Sequence, residues 1–230
     1  MTEGLRERKK RETRARISDT ATGLFLMRGF DSVTVAEIAR AADVSVNTVF
    51  NYFPAKEDLL FDRQDEVVGM LGRIVRERRR GESAVRAVHR DFVDALNTGD
   101  WRYGFHEGSD VFGRLVNASP ALTARLREMN ELRIEALAET LADEADAAPD
   151  DLTPALVAAQ ICAALHTLMT HAVRRQLAGE SVAAILPDLR EQAGHAFGLL
   201  ESGIGGYCVR EAAQETPDEI GESASRAPSA

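Results

Sequence analysis

The apolar residues of this chain return at three- and four-residue intervals from Ile17 to Leu200, and no run of alternating β-branched residues lies between hairpin turns. That spacing is the period of an α-helix, so the fold class expected is all-α. No 20–50-residue repeat is present, which excludes a solenoid. Breaks divide the pattern into segments. Ile17, Ala21, Leu24 and Phe25 share one face of a first helix, about Arg11 to Arg28, which Gly29 stops. Thr34 and Glu37 form an S/T-x-x-E capping box at the start of a second helix that lasts only two turns, to Ala42. Ser45 caps a third two-turn helix with Val46, Val49 and Phe53 expected inward, and Pro54 ends it. A long helix is expected from Lys56 to about Arg80, burying Leu60, Val67, Leu71 and Ile74. Ser83 opens another. Trp101 to Asn117 reads as a further helix, Ser119-Pro120 starts one to about Ala147, Thr153-Pro154 one to Leu177, and Pro187 one to Ser202. Residues 204–230, rich in Gly, Pro, Ser and Glu, read as a disordered tail.

Charge is unevenly spread. The net charge is −9, yet residues 1–80 carry a balance of +3 and residues 81–230 one of −12. The first 16 residues hold seven Lys or Arg against three Glu. A basic arm ahead of an acidic body suggests a nucleic-acid contact at one end, although a solvated terminus has the same composition. Nothing approaches 18 consecutive apolar residues, so no membrane partner is expected. The charged N-terminus lacks the apolar segment of a secretory signal, and Cys162 and Cys208 cannot build a disulfide framework. The expected location is the cytoplasm.

The stretch TVAEIARAADVSVNTVFNYFPAK, Thr34 to Lys56, places two short helices around a tight turn, with a preceding helix to support them. This is the spacing of a helix-turn-helix, whose second helix fits a major groove about 12 Å wide. With Val46, Val49 and Phe53 inward, the residues facing out are Asn47, Thr48, Phe50, Asn51 and Tyr52. They can donate, accept and stack. A plain αα-corner with a wet polar face has the same spacing.

The run VTVAEIARAADVSVNTVFNYFPAKEDLL, preceded by a basic helix ending in FLMRGFDS, resembles the TetR family of transcriptional regulators over roughly residues 10–65. The resemblance implies a DNA-binding head (1–55), an effector-binding and dimerisation body (56–203) and the tail (204–230). It implies that Thr34 touches a phosphate and that a recognition helix begins at Ser45. Asn47, Phe50 and Asn51 would face base edges, Thr48 and Tyr52 the backbone or groove edge, and Lys56 a phosphate. Arg11 and Arg14 are looser candidates for phosphate neutralisation. The implied partners are double-stranded DNA carrying a palindromic operator, a second copy of the chain and a small-molecule effector, and the implied activity is repression released by that effector. Two residues depart from the family pattern: Asp43 stands where Gly is common, and Phe50 where Tyr is common.

In the body, helix 153–177 is apolar on two sides, with Val157, Ile161, Leu165, Leu168 and Ala172 on one and Cys162, Met169 and Val173 on the other. Paired with helix 187–202, it suits a four-helix dimer interface; the centre of a monomer would have the same pattern, and the family resemblance favours the dimer. The candidate effector contacts are Trp101, Phe105, His106, Phe112 and His166, among apolar residues that would suit a small hydrophobic molecule. Cys162, His166 and Met169 fall at i, i+4 and i+7, a soft-ligand spacing, but no fourth ligand is identifiable, so no metal is assigned and a metal-responsive repressor is the lesser alternative. No cofactor is expected. G-x-S-x-G, P-loop, H-E-x-x-H and G-x-G-x-x-G motifs are missing, and no catalytic residue is assigned. A DNA-organising protein without an effector is the remaining alternative, and the acidic body weighs against it.

Overall fold

The structure, a computed structural model, describes residues 4–106 and 108–211. Its described residues form nine α-helices and no strand: α1 Leu5–Arg28, α2 Val35–Ala41, α3 Val46–Tyr52, α4 Gln64–Arg76, α5 Ala84–Thr98, α6 Ser109–Ala118, α7 Pro120–Ala145, α8 Thr153–Leu177 and α9 Val182–Ile204. Helices α1 to α3 form the head. In the body, α7 packs on α4 and α8, while α9 packs on α5 and α8.

Local chemistry sets most of the helix starts. Thr34 and Glu37 complete the expected capping box, and the hydroxyls of Ser45, Ser83 and Ser181 accept backbone N–H bonds at the starts of α3, α5 and α9. Ser119 precedes Pro120 at the start of α7, but its hydroxyl donates to Asp31 Oδ1 at 2.8 Å instead of capping its own helix.

Four expected segments differ. Helix α1 begins at Leu5, two turns before Arg11, so most of the basic arm is helical. The long helix from Lys56 is broken into a 3₁₀ turn at Glu57–Leu59 and α4, which ends at Arg76. Leu59, Leu60 and Phe61 are consecutive and all buried. Successive helical residues point about 100° apart, so a one-sided helix cannot bury three in a row. Trp101 to Asn117 is likewise split, into a 3₁₀ turn at Trp101–Tyr103 and α6. Gly104 (φ 72°) and Gly108 (φ 86°) adopt the left-handed conformation that separates them. Helix α9 starts at Val182 rather than at Pro187, because Ser181 supplies the cap and Ile185 and Leu189 already face the core.

The apolar interior forms two clusters. One, in the body, gathers Leu71, Phe92, Leu137, Ile161, Leu165 and Phe197. The other holds the head core, including Phe25, Ile38, Val49, Phe53 and Leu59, and extends to Leu115, Val116, Leu122 and Met129 of α6 and α7. Helix α8 has a mean hydropathy of 1.5 over its most apolar window, which by length and composition alone would let it cross a membrane. Single polar side chains interrupt α8, so its apolar residues never form one long consecutive run. Its buried positions pack against α6, α7 and α9.

The first residues of the expected tail are held in place. Gly81 N donates to Arg210 O at 2.7 Å and Arg210 N to Glu82 O at 3.2 Å, while Arg78 Nε donates to Cys208 O at 3.0 Å. Residues 212–230 lie outside the described residues.

Candidate nucleic-acid interface

Helix α3 is the geometric centre of the candidate site. The turn before it passes through Asp43 in the left-handed region (φ 53°), and Val44 N donates back to Ala39 O at 2.9 Å. Asp tolerates this conformation better than most residues, so the absence of Gly leaves the turn intact. Ser45 Oγ accepts from Thr48 N at 3.0 Å and lies 2.8 Å from Thr48 Oγ1. Val49 and Phe53 are buried and anchor the helix.

Val46 is a correction: expected inward, it is 41% exposed. Only Val49 and Phe53 reach the core: Val46, the first residue after the Ser45 cap, falls by helical spacing between buried Phe53 and exposed Phe50, at the edge of the inward face. The open face of α3 is therefore Val46, Asn47, Phe50 (45% exposed) and Asn51. Thr48 is half-buried with its hydroxyl turned to the Ser45 cap, and Tyr52 is half-buried against the head core. Sequence spacing alone missed Val46; its position at the first turn, where the chain has only just entered the helix, was the available signal.

The start of helix α2 is exposed. Thr34 N donates to Glu37 Oε2 at 2.8 Å, as does Thr34 Oγ1 at 2.8 Å, and Arg28 pairs with Glu37 at 2.9 Å. These hydrogen bonds from Thr34, then the one from Arg28, bring the Glu37 pKa from 4.5 down to about 2.

Two cations expected near phosphate are engaged within the head. Lys56 Nζ donates to Phe30 O at 2.6 Å and sits 4.1 Å from the centre of the Phe30 ring and 5.7 Å from that of Phe25. Partial burial lowers its pKa. Arg14 donates to Tyr52 O at 2.7 Å and stacks 4.4 Å over Phe53, so it closes the C-terminal end of α3. A cleft of about 440 Å³ opens beside it, lined by Glu7, Lys10, Arg11, Arg14, Asn51 and Tyr52. The helical basic arm thus runs alongside the end of α3 that carries Asn51.

Residues 17–62 match the family described as bacterial regulatory proteins, tetR family, and residues 106–198 match the MftR C-terminal domain. The HTH-type transcriptional regulator TcmR of Streptomyces glaucescens is 32% identical over 162 residues, 68% of this chain and 71% of that protein. The chain belongs to the tetR family. It is a DNA-binding transcriptional regulator, and the family consists of regulatory transcription factors rather than enzymes. Among solved structures, NalD, the secondary repressor of the MexAB-OprM multidrug efflux pump in Pseudomonas aeruginosa, superposes with a TM-score of 0.52 at 20% identity, over 81% of this chain and 97% of NalD. The SmeT–triclosan complex superposes with a TM-score of 0.53 at 18% identity, over 83% of this chain and 90% of SmeT. These two likenesses speak for the fold.

The regulator does not bring all five expected effector residues together. Trp101 and Phe112 flank one segment: Arg63 stacks 4.8 Å from the Trp101 ring, and Phe61 meets Phe112 edge-on at 6.0 Å. Phe105 is buried edge-on against Phe92. His106 is exposed in the loop before α6, and His166 is exposed on α8. Cys162, four residues before His166, is fully buried, and burial raises its thiol pKa. Among the described residues, no group of three His, Cys, Asp or Glu converges to hold a metal ion.

Proposed function

We propose that this regulator is a dimeric repressor that binds a palindromic operator through α3 and is released by a small hydrophobic effector held in the body. The observation that carries the reading is the open face of α3. Val46, Asn47, Phe50 and Asn51 stand out from a helix whose two ends are fixed by the Ser45 cap and the Arg14 clasp. Asn pairs bidentately with adenine, and Val and Phe suit thymine methyls. With the Thr34 N–H taken up by Glu37, the start of α2 offers the backbone N–H groups of Val35 and Ala36 to a phosphate, and Lys10 and Arg11 lie where the flanking backbone would pass.

The exposed faces of α8 and α9 support the dimer. Leu156, Ala159 and Ala163 on α8, and Gly194, Gly198 and Leu199 on α9, leave a surface of small and apolar residues open on adjacent helices. Two copies joined there would make a four-helix interface and present two α3 helices to successive major grooves, about 34–36 Å apart. The effector would favour a head spacing that misfits the operator, and by reciprocity the operator would weaken effector binding by the same factor. SmeT, which shares the fold, is captured with triclosan, in keeping with a small apolar effector.

Selection of binding sites from a random DNA library, repeated at two salt concentrations, tests this reading. It should return a palindrome with half-sites one helical turn apart or a multiple of it. Binding without any motif, lost steeply with salt, would overturn it in favour of a non-specific DNA-organising protein.

A further inference from the structure

Three formally charged side chains are buried among the described residues: Asp58 at 6% exposure, Arg78 at 4% and Arg133 at 7%. Two of them are neutralised. Asp58 pairs with Arg125 at 2.7 Å, and Arg78 pairs with Glu144 and also bonds two carbonyls. Arg133, in the middle of α7, has no carboxylate partner among the described residues. It donates to the neutral amide of Asn130, at 2.6 Å to Oδ1, and its Nε has no hydrogen-bond partner. The guanidinium also hydrogen-bonds the Cys162 thiol, and its charge acts on the ionisation of both Cys162 and Tyr103. Neither offsets it: the thiol is neutral, and the Tyr103 hydroxyl donates to Asp91 at 3.0 Å. Asp91 itself pairs with Arg102.

A guanidinium keeps its charge under any condition a protein meets, so burial cannot be relieved by losing the proton. An uncompensated buried charge is strongly destabilising, whereas apolar packing in its place is neutral or better. The position along the helix adds a second observation. Met129, one turn before, belongs to the head-side cluster, and Leu137, one turn after, belongs to the body cluster. Arg133 therefore lies on the seam between the two apolar interiors, where an apolar ligand would touch both.

We propose that Arg133 binds the acidic group of the effector, which is an amphipathic organic carboxylate with its apolar body lying along this seam. The proposal rests on the effector reading above and narrows it. One unpaired guanidinium matches one negative charge, and its planar fork suits a carboxylate. Arg102, close to Tyr103, is already bound to Asp91 and Asp100, so a second cation for a phosphate dianion is not at hand.

The test uses the full chain and matched acid–neutral pairs: octanoate, decanoate and dodecanoate against the corresponding alcohols, and 2-naphthoate against 2-naphthamide. Binding is read from the emission of the one tryptophan, Trp101, and from the melting temperature. At least one acid should bind ten-fold or more tighter than its neutral partner. Arg133→Met should erase that ratio and Arg133→Lys should keep part of it. The ligand-free Arg133→Met protein should melt no lower than the original. Equal affinities within every pair, binding by no acid in the series, a ratio that survives Arg133→Met, or a lower melting temperature of the ligand-free Met variant would each overturn the proposal. Operator selection on the same preparation separates the two readings. A palindrome recovered without acid preference sinks only the carboxylate, whereas failure to recover any motif sinks the regulator reading itself.

Discussion

The carboxylate of Glu37 accepts from Thr34 twice and from Arg28 once, and those bonds hold its pKa at about 2. A carboxylate whose pKa is lower in the folded chain than its ordinary 4.5 favours the fold at all pH values above 4.5. That contribution is lost as the pH falls from 4.5 towards 2. Glu37→Gln keeps an acceptor for the Thr34 N–H but carries no charge, so urea unfolding of the variant should be flatter than wild type across that window. Lys56 calls for a different experiment. Its ammonium is bound to Phe30 O and lies over two rings, so Lys56→Met should lower stability by about 1–2 kcal/mol in chemical denaturation. The salt dependence of DNA binding by the same variant measures any phosphate contact, which would reduce the slope by about one unit. At the base-reading face, Asn51→Ala should cost ~1–3 kcal/mol against a selected operator and relax preference at one position, in a titration against single-base operator variants. The sequence exposes these roles unequally. Thr34 and Glu37 are legible because capping is a three-residue affair. The Lys56 clasp is not, because its partners lie 26 or more residues back, Phe25 in the last turn of α1 and Phe30 in the loop just after it.

Among elements, the two short helices were the most readable and the connecting segments the least. Helix α3 has a polar cap, two buried anchors and a proline after it, all within ten residues. Its preceding turn depends on one backbone conformation, Asp43 at φ 53°. Asp43→Ala should therefore cost ~1–2 kcal/mol in a urea midpoint measurement, from left-handed strain alone. The break at residues 60–63 was hidden because Leu60 fits the helical stripe of Val67, Leu71 and Ile74 equally well. What decides it is Phe61, which is taken by the head-side cluster and meets Phe112. The break at 104–108 was marked by two glycines, but a glycine inside an apolar pattern does not announce which sign its φ will take. Residues 205–211 were read as tail from their composition; they dock because the backbone and guanidinium of Arg210 find partners between Arg76 and Glu82, and Tyr207 and Cys208 pack against the body cluster.

At the scale of the whole molecule, head and body meet through a buried ion pair and a shared apolar cluster. Arg125 on α7 bonds Asp58 Oδ1 and Gln64 Oε1, each at 2.7 Å, while Asp58 Oδ2 accepts from Ala55 N at 3.0 Å. Arg125→Met would strand the Asp58 carboxylate, with an expected loss of roughly 3 kcal/mol, the low end for breaking a buried pair. Adding Asp58→Asn should recover part of it, as a double-mutant cycle by thermal or urea unfolding would show. The apolar cluster carries the point further. Leu59, Phe61, Leu115, Val116, Leu122 and Met129 close over the underside of the head, and Ser119 reaches Asp31 from the same side. Anyone exchanging reading heads between regulators of this kind would be tempted to cut near residue 56. Here such a chimera would carry a floor cut for another tenant, since the surfaces that complete the head are encoded some sixty residues downstream. The transplantable module is discontinuous: the first 61 residues together with the stretch from Ser109 to Met129.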